Sequence, residues 1–378
     1  MAPSSVLPSA PIAPPEPVPL SPVPAPARAR SAFIVGPLYD GLFFIFSPLL
    51  ALALGLLVSP WHKNGDTLSF FGSPVSFISL ASASFIHAHL FAVFFRSHGN
   101  RDVYQRFRWR FTVIPLGIFL GLVVSPWLLM FSTIVNTVWD VYHSSMQNFG
   151  LGRIYDMKRG ANPEVGRSLD IWMSHVLYIG PILSSSVTLA AHLDSFKELN
   201  RVGSHLFDVV PLWGSKYQWM LAGGALGAGV TYTAYYIFSY VRLARRGVPI
   251  STQKVLLYAS TALVSLLGWG FNSFGEGFLI VNFFHALQYF AIVWWAEQDN
   301  LPRLFRVEGR RWARPSALLL FLLVPLLYGV LLGFGSNYLA PKGLELSVCM
   351  ALVNTVAMMH FWYDGFVWSV RKKAVPAT

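Results

Sequence analysis

The chain has 378 residues, of which 54% are hydrophobic and 12% are charged, whereas a soluble domain carries about 25% charged residues. This composition excludes a soluble enzyme and predicts an integral membrane protein. The single cysteine, Cys349, lies in an apolar run, which excludes a secreted disulfide scaffold. The formal net charge of +11 has to be interpreted by location, because Lys and Arg collect in the cytoplasmic loops of membrane proteins.

The first 30 residues are expected to form a disordered cytoplasmic tail, because they hold ten of the 25 prolines. A secretory signal needs an uninterrupted apolar segment, so we expect this tail to be retained. Residues 31–373 are expected to form a single transmembrane helical domain, followed by a short cytoplasmic tail over 374–378.

Ten apolar stretches are long enough to cross a hydrocarbon layer of about 30 Å as helices. They cover residues 38–58, 73–95, 111–128, 131–151, 169–190, 217–241, 253–272, 277–296, 316–335 and 344–369. The fold class is therefore an all-α polytopic transmembrane bundle of about ten spans. The division between the third and fourth spans rests on Ser125-Pro126, which is either a tight turn or a proline kink.

The distribution of basic residues supports an even number of spans. With ten spans, 23 of the 28 Lys and Arg residues fall on one side and 5 on the other. By the positive-inside rule both termini are then cytoplasmic. We expect a multi-pass protein of a bacterial inner (cytoplasmic) membrane.

Six of the ten histidines lie inside predicted spans, where ionisable residues mark functional sites. They are His87, His89, His143, His175, His285 and His360. With about 1.5 Å of rise per residue, these side chains share one layer in the cytoplasmic half of the membrane. His87 and His89 point about 200° apart on a helix, so one is expected to be a ligand, with a slight preference for His87.

Polar residues share helix faces with several of these histidines. They are Asn136, Asp140 and Gln147 in the fourth span, Asn282, Gln288 and Tyr289 in the eighth, and Asp364 in the tenth. Metal-bound imidazoles usually donate their second N–H to a carboxylate or carbonyl. Asp140 and Asp364 are therefore predicted as ligands or as hydrogen-bond partners of ligands, and the amides and Tyr289 as residues that orient them.

A set of imidazoles with one or two carboxylates suits iron, copper or zinc. The arrangement is similar to intramembrane histidine-ligated iron oxygenases, which include desaturase- and hydroxylase-type enzymes and bacterial carotene-cleaving dioxygenases. That resemblance implies non-haem iron and a substrate such as a fatty acyl chain, sterol or carotenoid. The HxxxH and HxxHH boxes of the desaturases are absent, so no functional residue is carried over.

Two other functions remain open at the sequence level. Histidines on facing helices also ligate haem in membrane electron-transfer proteins. Alternatively, the histidines with Asp140 and Asp364 could form the ion path of a proton- or metal-coupled transporter. The expected partners are membrane lipid, a lipid-soluble substrate and an electron donor on the cytoplasmic side, with no nucleic acid.

Overall fold

The protein is almost entirely helical in a computed structural model that describes residues 31–63, 67–70, 73–186, 209, 214–272, 274–334 and 344–368. The predicted tails at 1–30 and 374–378 lie outside these residues. The longer helices are α2 (Ser47–Lys63), α3 (Phe77–Ser97), α4 (Arg101–Val124), α5 (Pro126–Lys158), α6 (Arg167–Leu183), α7 (Gln218–Arg245), α8 (Thr252–Phe271), α9 (Phe274–Glu297), α11 (Ala313–Phe334) and α12 (Leu344–Val367). Two single-turn helices are α1 (Pro37–Asp40) and α10 (Leu301–Leu304).

A helix covers each of the ten predicted spans, but not all of them meet a test for membrane crossing. Within the described residues, four helices are long and apolar enough: Arg101–Val124, Thr252–Phe271, Leu279–Glu297 and Ala313–Leu332. The segments Pro37–Ile45 and Ser47–Leu57, bent by 56°, make a fifth if they form one span. The helical membrane class is therefore supported, whereas the count of ten spans and the side of the termini stay predictions.

The predicted second span starts later than the apolar pattern indicates. Residues Thr67–Phe70 (β1) and Ser73–Ser76 (β2) form a short antiparallel hairpin, in which Thr67 is opposite Ser76 and Phe70 is opposite Ser73. The strand ends where helix α3 begins, at Phe77. The first four residues of the predicted span 73–95 are therefore strand.

The first predicted span is broken by a π-helical segment, Gly41–Ile45. Pro48 has no amide hydrogen to donate to the Phe44 carbonyl, which an unbroken α-helix would require. That carbonyl instead accepts hydrogen bonds from the Ser47 hydroxyl at 3.2 Å and from the Gln288 amide at 3.0 Å. The proline thus explains the bend and leaves an acceptor that joins this segment to α9.

The boundary between α4 and α5 is a turn at Ser125. Its backbone is extended (φ −119°, ψ 107°), and its hydroxyl caps α5 by accepting a hydrogen bond from the Leu128 amide at 3.3 Å. Ile118 and Val135 line the same cavity, although they would be about 25 Å apart along one straight helix. Helices α4 and α5 therefore fold back on each other, which favours the tight turn over the kink.

Helix α3 is seated closely against α11, its most extensive helical neighbour. A Cβ atom added to Gly329 of α11 would lie 2.0 Å from the carbonyl oxygen of Ser84. Only glycine permits this approach, since any side chain would overlap the backbone of α3. The contact determines which face of α3 turns toward the interior, and α3 also packs against α9 and α12.

A buried ion cluster joins α5, α6 and α8. It consists of Arg153, Asp156, Asp170 and Lys254, each less than about a tenth exposed. Arg153 donates to Asp170 at 2.7 Å and to Asp156 at 3.1 Å, and Lys254 donates to Asp156 at 2.5 Å. Two cations therefore balance two carboxylates inside the helical bundle.

Candidate metal centre

Four of the predicted histidines converge between four helices. His89 comes from α3, His143 from α5, His285 from α9 and His360 from α12, and all four are buried. Neighbouring rings have centroids 4.8–5.2 Å apart, with interplanar angles between 69° and 89°. We call these four residues the histidine cluster. Each helix contributes one imidazole, so the cluster exists only when the four helices are packed together.

The possible metal ligands form two groups that share His360: one is His89, His285 and His360, and the other is His143, His360 and Asp364. Nε2 of His143 and Nε2 of His360 lie 3.1 Å apart, close to the ~3.0 Å between adjacent ligands of one ion when each metal–nitrogen bond is ~2.1 Å. His89, His285 and His360 each offer a ligand atom within 4.8 Å of the others. Small side-chain rotations would bring these atoms within the ~4.2 Å that separates opposite ligands.

Several nitrogens in the cluster lack hydrogen-bond partners. Neither ring nitrogen of His89 or His285 makes a hydrogen bond of standard geometry to a described residue, and the same holds for Nδ1 of His360, although the backbones of Ile86 and Leu90 come near His89 and His360. Buried polar atoms are almost always paired, and leaving them unpaired is costly. A metal ion takes one nitrogen from each imidazole, so the rings of His89, His285 and His360 fit as ligands of a bound metal.

Asp364 adds a carboxylate to one side of the cluster. Its Oδ1 accepts hydrogen bonds from the Tyr289 hydroxyl at 2.8 Å and from the Trp368 indole at 3.0 Å. Its Oδ2 lies 3.7 Å from Nε2 of His143 and 4.0 Å from Nε2 of His360. Oδ1 is thus held by two hydrogen bonds, while Oδ2 lies beside the histidines. A carboxylate that binds a metal, or that binds a ligand of the metal, needs such an arrangement.

Asp140 lies one turn from His143 but is outside both groups of potential ligands. Its Oδ2 accepts a hydrogen bond from the Asn282 amide at 3.1 Å, and its Oδ1 has no hydrogen bond to any described residue. Asn136, a turn earlier, bonds Asn354 of α12 at 2.8 Å instead. Asn136 and Asp140 therefore connect α5 to α12 and to α9 beside the cluster.

Gln147 and Gln288 connect the cluster to the bent first span. The Gln147 amide donates to the carbonyl of His285 at 3.1 Å and to the side chain of Gln288 at 3.0 Å. Gln288 in turn donates to Phe44 of the π-helical segment. Gln147 therefore holds the backbone of His285 directly, and Gln288 links Gln147 to the first span.

His87 and His175 lie outside the cluster. Nδ1 of His87 is 2.6 Å from the carbonyl oxygen of Ala83 on its own helix, so the slight preference for His87 is corrected in favour of His89. Nδ1 of His175 is 2.7 Å from the Ser145 hydroxyl, and its ring stands beside Tyr142 and Trp172. The depth predicted for these two residues stays a prediction, and the rotation of α3 and α6 turns both side chains away from the cluster.

Three residues near the site were not predicted. Trp368 follows Asp364 by one helical turn and holds its carboxylate, and the guanidinium of Arg96 lies 4.3 Å from the Trp368 ring. Arg96 is paired with Glu297 at 2.6 Å, and both are buried. The i, i+4 spacing of Asp364 and Trp368 was a usable signal, whereas the pairing of Arg96 with Glu297 joins segments distant in sequence.

The chain was compared with protein-family models, with curated proteins and with solved structures, and none of the three comparisons finds a match.

Proposed function

We propose that the protein is a membrane metalloprotein whose histidine cluster, with Asp364, holds non-haem iron. The observation that carries this proposal is the set of orphaned, buried nitrogens on His89, His285 and His360. A chain that needed these imidazoles only for packing would pair them, as it pairs His87 and His175. Nitrogen and carboxylate donors with no thiolate suit iron, with copper as an alternative metal.

The proposed activity is that of an oxidoreductase of the oxygenase, desaturase or hydroxylase type. Bound iron would supply the activation of oxygen, which histidine and carboxylate side chains alone cannot perform. The protein residues would hold the ion through imidazole nitrogens and would keep the Asp364 carboxylate oriented through Tyr289 and Trp368. Burial between helices excludes bulk water, which protects such chemistry from side reactions.

The substrate that we propose is lipid-soluble, such as a fatty acyl chain, a sterol or a carotenoid. Apolar spanning helices support a site reached from the membrane rather than from water. An open apolar cavity of about 290 Å³ lies between α4, α5 and α12, and its lining includes Leu122, Phe131 and Met358. Met358 and His360 point about 200° apart on α12, so the cavity provides room for an apolar molecule beside this helix but does not open onto the histidines.

Ring packing favours a single ion over haem. A bis-histidine haem needs two imidazoles on opposite faces of a flat macrocycle. Here each of the rings of His89, His143 and His360 is packed within about 5 Å of at least two other imidazole rings, at angles near perpendicular. Rings arranged in this way can surround a single ion, but they do not face each other across a flat macrocycle.

We place the protein in a bacterial inner membrane as a multi-pass protein of about ten spans. The positive-inside rule puts the C-terminal ends of α3, α5, α9 and α12 on the cytoplasmic side. Arg96, Glu297 and Trp368 lie at the ends of α3, α9 and α12, next to one another and to Asp364. An electron donor would therefore approach from the cytoplasm.

Metal analysis and absorption spectroscopy on the detergent-purified protein test the proposal. Wild type is compared with His143→Ala, His285→Ala and His360→Ala, with His175→Ala as the matched control outside the cluster. We expect iron without a Soret band, lost in the three cluster variants and retained in His175→Ala. A Soret band would select haem, and a metal-free wild type after growth in iron would favour transport.

A further inference from the structure

Two arginine-rich segments meet at one end of the helical bundle. Residues 98–110 lead into α4 and residues 298–314 lead into α11, and together they hold nine arginines, no lysine and three carboxylates. The nine are Arg101, Arg106, Arg108, Arg110, Arg303, Arg306, Arg310, Arg311 and Arg314, and each is exposed. We call these two segments the basic surface.

Hydrogen bonds between the two segments join them into one surface. The Asn300 amide donates to the carbonyl of Gly99 at 3.1 Å, and the Asn100 amide donates to Glu297 at 3.1 Å. The rings of Phe95 and Phe305 pack 5.7 Å apart beneath them. The starts of the two segments therefore adjoin, and the arginines follow along the chain from this junction.

The backbone of the second segment is held in a defined shape. Arg306 has a left-handed conformation (φ 55°), the one such residue other than glycine in the described part of the chain. Turn hydrogen bonds from Arg306 to Arg303 and from Val307 to Pro302, at 3.0 and 2.9 Å, maintain it. A strained residue persists only where its surroundings hold it, so the arginines of this loop are presented by a structured turn.

Both segments contain the same pair near their ends, an arginine followed by an exposed tryptophan: Arg108-Trp109 lies in the first turns of α4, and Arg311-Trp312 directly precedes α11. Arg108 lies 5.5 Å from the ring of Trp109, and Arg311 lies 5.6 Å from the ring of Trp312. These tryptophans are 67% and 63% exposed. Tryptophan concentrates at the headgroup level of membranes, so the pairs mark the depth at which each apolar helix enters the hydrocarbon.

We propose that the basic surface binds the headgroups of anionic phospholipids. Guanidinium groups match phosphate geometry with paired hydrogen bonds, and clustered basic residues beside a membrane segment attract anionic lipid. Among the carboxylates, Asp299 is already paired with Arg314 at 2.7 Å, so most arginines face the lipid uncompensated by acids of the same surface. The position of Trp109 and Trp312 favours lipid over an acidic soluble protein, which would dock beyond the headgroup level.

Native mass spectrometry of the detergent-purified protein tests the assignment. Phosphatidylglycerol and phosphatidylcholine with the same acyl chains are added in equal amounts, and bound copies are counted. We expect wild type to retain phosphatidylglycerol at least about fivefold over phosphatidylcholine. The variant Arg108→Gln/Arg310→Gln/Arg311→Gln is expected to bind phosphatidylglycerol at least about fivefold less than wild type does.

A matched control removes the same charge elsewhere. Arg242, Arg245 and Arg246 at the end of α7 are exposed, and their replacement by glutamine should leave phosphatidylglycerol binding within about twofold of wild type. The variant Arg108→Lys/Arg310→Lys/Arg311→Lys keeps the charge and should retain the preference, with circular dichroism showing that all variants are folded. Equal losses in the two glutamine variants would overturn the proposal, and so would a wild type that binds soluble polyglutamate but shows no preference for phosphatidylglycerol.

Discussion

Two buried polar clusters in this protein differ in how completely their atoms are paired. In the ion cluster both carboxylates are fully paired: Asp170 also accepts hydrogen bonds from Tyr236 at 2.8 Å and Tyr240 at 2.6 Å, and Asp156 accepts from the Ser251 amide at 3.1 Å. In the histidine cluster five ring nitrogens on three residues have no hydrogen bond of standard geometry to a described residue. Both clusters join several helices, but in the ion cluster the one unpaired side-chain atom among the described residues is Nε of Arg153.

The difference separates a structural role from a functional one. Burying charges costs several kcal/mol per ion unless partners compensate, and the ion cluster supplies those partners within the chain. The histidine cluster leaves buried donors and acceptors unpaired, which also costs free energy. A fold retains such a cost where the unpaired atoms serve a ligand, so pairing is a useful criterion for choosing between buried polar clusters.

The largest expected effect on stability comes from breaking the ion cluster. Lys254→Met leaves Asp156 and Asp170 with one cation between them, and removal of one partner from a buried pair typically costs about 3–5 kcal/mol. We expect a fall of that size in the free energy of unfolding, measured by denaturant titration in detergent. Iron bound per folded molecule should not change, because the histidines are untouched.

The exposed Lys216 provides the control for this substitution. Lys216→Met should change the free energy of unfolding by less than about 0.5 kcal/mol, since surface substitutions rarely do more. If Lys254→Met were equally mild, the ion cluster would not be the structural element that its pairing indicates.

The next largest effect, on iron affinity, distinguishes His89 from His87. His89→Ala should reduce iron affinity by more than about 100-fold, because it removes a ligand rather than a residue that orients one. His87→Ala should leave affinity within a fewfold of wild type, since His87 bonds Ala83 instead. Iron competition with a chelator measures both, and the opposite order would show that His87 is the ligand after all.

A smaller loss of iron affinity is expected when a residue that orients the Asp364 carboxylate is replaced. Tyr289→Phe removes one of the two hydrogen bonds to Oδ1 of Asp364, and loss of such a partner typically costs about 10- to 100-fold in metal affinity or activity. Trp368→Phe removes the other and should act in the same direction. The same chelator competition measures the loss, and Tyr235→Phe, at an exposed tyrosine of α7, should have no effect.

The smallest effect is also the most direct test of the contrast in pairing. In metal-free protein, His285→Leu replaces a buried unpaired imidazole with an apolar side chain of similar size, so the free energy of unfolding should rise by about 1 kcal/mol. Thermal unfolding after chelation measures the change. A decrease of more than about 1 kcal/mol would mean that the imidazole makes stabilising contacts, and the orphaned nitrogens would lose their significance.

Much of the helical organisation could be predicted from single segments. Apolar length located a helix over each of the ten stretches, and Ser125-Pro126 was recognised as a boundary, because these properties depend on a few consecutive residues. The strands at Thr67–Phe70 and Ser73–Ser76 and the π-helical segment were missed. Their hydrogen bonds depend on pairing or on a proline-freed carbonyl, which hydropathy does not register.

The sequence by itself determined a largely helical chain with four apolar helices that support a membrane protein, and it placed histidines on several of the helices. Only the tertiary structure decided which imidazoles face one another. Depth follows from counting residues along a helix, but facing depends on how each helix is rotated against its neighbours. On α3, which packs closely against Gly329 through its Ser84 backbone, His89 enters the cluster and His87 turns away.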